Sequence, residues 1–111
     1  MPTVNSQGTL TATGGEDTVV DLTTNKWFSG YVDLQLMDTG DTTILRMYLK
    51  VRTGSTLAVF WAKTYVGPQT NKRIIYFAPF PSDIEYKITL EQTDGVNRNY
   101  DYKFYEAWEI K

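Results

Sequence analysis

The 111-residue chain has no cysteine and no histidine. Without cysteine, neither a disulfide framework nor a thiolate metal site can form. Without histidine, the commonest general base and the commonest transition-metal ligand are missing. The Ser-His-Asp and Cys-His arrangements of nucleophilic catalysis go with them. Charge of one sign is also scarce: 11 basic residues stand against 13 acidic ones, for a net charge of −2. The basic residues are scattered among acids, whereas attraction to nucleic-acid phosphate needs a basic face. No nucleic-acid partner is therefore expected. The apolar runs fall far short of the roughly 20 residues of a membrane-spanning helix, so no membrane partner is expected either. The opening "MPTVNSQGTL" has neither the basic nor the apolar region of a signal peptide. The expectation is synthesis in the cytoplasm without Sec export.

What is present favours strands. Apolar residues make up 41% of the chain and aromatics 14%, beside abundant threonine and valine, a strand-forming composition. The recurring signal is a two-residue period broken by turn residues. "YVDLQLM" sets Val32, Leu34 and Leu36 against Asp33 and Gln35. "TTILRMYLKVR" sets Leu45, Met47, Leu49 and Val51 against Arg46, Tyr48, Lys50 and Arg52. "DIEYKITLEQ" sets Ile84, Tyr86, Ile88 and Leu90 against Glu85, Lys87, Thr89 and Glu91. Each reads as a strand with one buried face. "TLAVFWAKTYV" is apolar on both sides at its centre, with Val59 and Trp61 facing one way and Phe60 and Ala62 the other. It is expected to be covered twice, the second cover being a loop or a partner subunit.

Turn clusters such as "TGGED", "DTGD", "RTGS" and "TDGVNRN" punctuate the chain. Between them lie eight strand candidates, about 7–12, 17–22, 28–37, 43–52, 56–66, 73–78, 84–92 and 100–110. Strands at this spacing predict one antiparallel β-sandwich over residues 1–111, all-β and jelly-roll-like. Strand order does not follow from spacing. In "ITLEQTDGVNRNYDYKFYEAW", Asp94-Gly95 marks a tight turn. The stretch therefore reads mainly as a hairpin whose rings are core. Tyr100, Tyr102, Phe104, Trp108 and Ile110 share its inner side. Asp101, Lys103, Tyr105 and Glu109 share the outer one. Glu106 interrupts the apolar row, which predicts a rim position there or, alternatively, a bulge.

Candidate chemistry is thin. Ser6, Ser29, Ser55 and Ser82 stand outside any GxSxG elbow. Glu85 with Glu91, or Asp101 with Glu109, would be the carboxylate pairs for glycoside cleavage, but acids are ordinary on the solvent face of a strand. Asp38 and Asp41, with Glu16 and Asp17, offer oxygen ligands suited to calcium. They lack EF-hand spacing, and aspartate is common in turns for backbone reasons. No catalytic residue, metal ligand or cofactor is assigned. Exposed rings are a third possibility. Tyr48, Tyr65, Tyr105 and Trp27 are candidates either for stacking on a sugar or for a subunit interface, where aromatics and arginine are enriched.

The segments "GTLTATGGEDTVVDL", "YVDLQLMDTGDTTILRMYLKV" and "YKITLEQTDGVNRNYDYKFYE" follow one another in an order that resembles a group of virus proteins. These are small, mostly uncharacterised β-sandwich proteins encoded near head genes of tailed phages and archaeal viruses. The matching positions are Asp33, Leu34, Met37, Gly40, Asp41, Thr42, Arg46, Tyr48, Lys50 and Val51. Thr89, Leu90, Gln92, Thr93, Gly95 and Arg98 match later in the chain. The chain departs from the pattern beside the turn, where Asp94 and Val96 replace the usual alanine or glycine. The resemblance implies a non-enzymatic virion structural protein, a capsid decoration or minor head component. It would be located in the virion as a homo-oligomer, with a trimer favoured, contacting the major capsid protein. The expected contact patch comprises Trp27, Tyr48, Phe60 and Tyr65, with Arg46 and Arg52 at its rim. A glycan-binding β-sandwich module is the alternative.

Overall fold

The computed structural model of the chain describes residues 3–22, 26–50, 52, 54–70, 73–82 and 85–109. It contains eight strands: β1 (Thr3–Thr11), β2 (Glu16–Leu22), β3 (Lys26–Asp33), β4 (Thr42–Lys50), β5 (Ala58–Val66), β6 (Ile74–Ser82), β7 (Glu85–Asp94) and β8 (Asn99–Glu109). They form two antiparallel four-stranded sheets, ordered β1-β8-β3-β6 and β2-β7-β4-β5. The first strand thus pairs with the eighth and the second with the seventh. The third pairs with the sixth and the fourth with the fifth. This nested pairing, rolled into two sheets, is a jelly roll.

The alternation of the sequence sets which side chains meet between the sheets. Phe28, Val32, Ile75, Phe77, Tyr100 and Phe104 come from the first sheet, and Val20, Leu45, Met47, Tyr86, Ile88 and Leu90 from the second. Across the gap Phe28 stacks on Tyr86, with centroids 5.9 Å apart and planes 12° from parallel. Trp61 meets Phe77 edge-on at 5.7 Å. Each such side chain contributes about 1.5–3 kcal/mol by leaving water.

Three details differ from the sequence expectation. The strand read as 28–37 stops at Asp33. There the Asp33 carboxylate accepts the Gln35 amide at 2.9 Å, an Asx turn that takes the chain out of the sheet. The Met37 amide then closes onto the Leu34 carbonyl at 3.1 Å. Leu34 and Met37 stay buried, and Leu36 points out at 47% exposure. Second, β5 is an edge strand covered on one face only, by the core that Trp61 and Tyr65 meet. Val59 and Phe60 are 48% and 44% exposed. Third, β6 runs to Ser82 through Pro79 and Pro81, which an edge strand tolerates because its outer amides have no ladder partner.

Glu106 is half-buried at the rim end of β8 and pairs in register with Phe28. The ladder shifts immediately beyond it, between the Phe28–Glu106 and Lys26–Glu109 pairs, so rim and bulge occur together. Val51, Ile84 and Ile110 lie outside the described residues, as do the side chains of Trp108 and Glu109.

Candidate functional site

The predicted contact residues do not form one patch. Arg46 and Tyr48 project from the outer face of β4 into a polar lattice with β2 and β7. The Tyr48 hydroxyl donates to Glu16 Oε2, and the Thr89 hydroxyl donates to the same oxygen at 2.5 Å. Arg46 Nη1 reaches Glu91 at 2.9 Å and Glu16 at 3.6 Å. Lys87 Nζ stands 5.7 Å from the centre of the Tyr48 ring. The Thr89 and Tyr48 hydrogen bonds hold the Glu16 carboxyl below its ordinary range. The bond to Glu16 correspondingly raises the Tyr48 phenol, and the bond to Glu91 raises the Arg46 guanidinium. The Tyr48 ring is thus committed within the chain on its hydroxyl and on one face.

Tyr65, expected at the surface, is 8% exposed, and burial raises its phenol. Its place in β5 turns it inward, onto the core. Phe60 is exposed on β5, at a register shift in the β4–β5 ladder. Arg52 is exposed in the β4–β5 connection, where its carbonyl accepts the Ser55 amide at 3.0 Å. Trp27 is half-buried on β3, in the opposite sheet.

The acids singled out for calcium or hydrolysis are dispersed. Among the described residues no group of three possible ligands converges. Asp17 accepts the amide and hydroxyl of Thr13 at 3.0 and 2.7 Å. Asp41 is buried, and its Oδ2 accepts Arg98 Nε at 2.7 Å and the Asp38 amide at 2.8 Å. Burial raises its pKa, but the Arg98 bond and the Asp38 amide outweigh this and leave it lowered. Glu85 pairs with Lys50 at 3.3 Å and Glu91 with Arg46. Next to Asp41 lies a buried polar chain: the Tyr100 hydroxyl donates to Gln92 at 3.0 Å and lies 2.7 Å from that of Thr43. Several motif positions therefore act as one structural clasp at an end of the sandwich.

The sequence reading missed two surfaces. The first is the flank where β5 and β6 lie side by side, joined by the Trp61–Phe77 contact. On the β5 side it exposes Val59, Phe60 and Val66, while Ile74 and Tyr76 of β6 pair with Asp33 and Tyr31 and belong to the outer face of the other sheet. Among the described residues β5 is the strand with the most large exposed hydrophobic residues. The second is the outer face of β8-β3-β6. Tyr31 and Tyr76 are direct cross-strand partners, with ring centroids 5.5 Å apart. Tyr105 meets Tyr31 edge-on at 6.1 Å, and Lys103 stands 5.6 Å from the Tyr105 ring centre. The period-two pattern carried the signal, since Tyr31 alternates with Gly30 and Val32, and Tyr76 with Ile75 and Phe77.

No family model, curated protein or solved structure matches the chain.

Proposed function

We propose that this chain is a non-enzymatic structural protein of a virus particle, a capsid decoration or minor head component working through protein–protein contacts. The observation that carries the reading is the apolar edge strand β5, which exposes Val59, Phe60 and Val66. Exposed apolar surface gathered in one place marks an interaction site, and an edge strand offers unpaired backbone groups beside it. A second observation agrees. Arg46, Glu16, Glu91, Asp41 and Arg98 are all held in intramolecular pairs, a pattern suited to a rigid scaffold. Jelly rolls build both capsid and lectin domains, so the fold alone does not choose between them. The motif resemblance tips the reading toward the virion. In this picture the flank joins copies of the chain, with a trimer favoured, and the assembly sits on the major capsid protein.

Sedimentation equilibrium of the purified chain, with and without Phe60→Asp, tests the first half. A concentration-dependent oligomer that Phe60→Asp converts to monomer is expected. A monomer at all concentrations would overturn self-assembly. Co-sedimentation with expanded heads of the cognate virus tests the second half, and a chain left entirely in the supernatant would overturn the capsid role.

A further inference from the structure

We propose that the outer face of β3, β6 and β8 holds a binding site for a neutral saccharide. This inference stands on its own observations and not on the virion reading. A shallow depression of about 290 Å³ lies there, lined by Tyr31, Asp33, Ile74, Asp101, Tyr102 and Lys103. Its volume is at the small end of ligand pockets, a size for one sugar ring. Tyr31 and Ile74 supply apolar wall, and Tyr76 extends the aromatic surface away from it, 5.5 Å from Tyr31. An aromatic face carries negative charge density and attracts polarised C–H groups, which a pyranose presents on one side.

The polar groups decide the class of ligand. The β3–β8 register pairs Tyr31 with Lys103 and Val32 with Tyr102. Asp33 and Asp101, each one residue beyond the Val32–Tyr102 pair, both line the depression. Each carboxylate is held in place. Asp33 accepts Gln35 N at 2.9 Å and Arg73 Nη2 at 3.0 Å, and Asp101 accepts the Thr9 hydroxyl at 2.6 Å. Asp33, Asp101 and Lys103 thus edge an apolar floor, and Arg73, paired to Asp33 from outside the depression, brings the four charges into balance. An anion or a cation gains no net attraction there. A purely apolar ligand would strip water from three charged groups without replacing it. A polyol offers hydroxyl donors to the aspartates and an oxygen acceptor to Lys103 while its C–H face covers the rings.

The test is a titration of the ¹⁵N-labelled full chain with glucose, galactose, mannose and N-acetylglucosamine at millimolar concentration, followed by amide chemical shifts. At least one sugar should shift the amides of residues 31–33 and 101–103. Tyr31→Ala and Asp101→Asn should each weaken that response about tenfold. Tyr48→Phe, on the other sheet, should leave it unchanged. No shift with any of the four and with a glycan array would overturn the proposal. So would shifts that survive both site variants, or a response only to an arginine-rich peptide. None of these outcomes would alter the sedimentation test, so the two readings fail separately.

Discussion

Arg98, in the turn between β7 and β8, donates from Nε to Oδ2 of Asp41 at 2.7 Å. Asp41 belongs to the connection that enters β4 and is 1% exposed. Its own carbonyl accepts the Gly67 amide at 2.8 Å, and the Arg98 carbonyl accepts the Ala12 amide at 2.9 Å. Four connections therefore meet around one ion pair. Asp41→Ala removes the acceptor for Arg98 and for the Asp38 amide. It is expected to cost about 2 kcal/mol. Urea denaturation should show a lower midpoint at unchanged slope.

The same carboxylate gives the protein an acid limit. A carboxylate held below its ordinary value contributes stability above that value and loses it as pH falls through the folded value. Asp41 and Glu16, ordinarily at 3.8 and 4.5, are both lowered. Asp21 is raised, by burial and by Glu85, so its contribution has the opposite slope and offsets part of the effect. Thermal melts should show a falling Tm below about pH 4. Asp41→Asn should have a lower Tm at neutral pH and a shallower acid decline. An acid decline as steep as in the unaltered chain would remove Asp41 from the explanation.

Two glycines are irreplaceable for different reasons. Gly95 has φ +92°, and a Cβ there would lie 1.9 Å from Asp41 Oδ1. Gly30 has no unusual dihedral, but a Cβ would lie 2.3 Å from Phe104 Cδ1 and 2.6 Å from the Lys103 carbonyl. Gly95→Ala combines backbone strain of about 1–2 kcal/mol with displacement of the carboxylate. Gly30→Ala must part β3 from β8 or expel a core ring. Both should be strongly destabilised, with Gly30→Ala the worse because backbone cannot swing aside. Melting temperatures of the two variants check the order.

Tyr48→Phe separates surface bonding from packing. It removes one bond to Glu16 and leaves the ring in place. The loss should stay within about 0.5 kcal/mol, as for ordinary surface changes. Spectrophotometric titration of the unaltered chain should show several phenols above the usual tyrosine range, and the variant should lose one of them while those of Tyr65, Tyr86 and Tyr100 persist.

The eight strands were legible because apolar residues at every second position need only a period and a turn to be recognised. Tyr86, Ile88 and Leu90 are completely buried, as their alternation requires. Where the pattern misled, a single polar contact intervened. The Asx turn at Asp33 sent Leu36 outward, although it continues the alternation of Val32 and Leu34. The contact surface was less legible. Alternation tells which side of a strand a residue takes, but not which strand becomes an edge. Tyr65 and Phe60 both lie in β5, yet one is buried and the other exposed. Tyr48 carried every sequence mark of an offered ring, and only the distance to Glu16 on another strand shows that it is committed. The clasp of Asp41, Gln92, Gly95 and Arg98 was visible as motif letters, without a hint that they touch.

The nested pairing of strands also imposes a schedule. β4 and β5 are neighbours in sequence and form a hairpin, whereas β1 finds β8 only after nearly the whole chain has been laid out. Closing long loops is slow because entropy is lost before contacts reward it. The molecule is thus expected to wind from its middle outward, on the millisecond-to-second scale of β-rich domains. The last rung to close joins the first strand to the eighth, so this seam is the first place where the wound molecule can come undone.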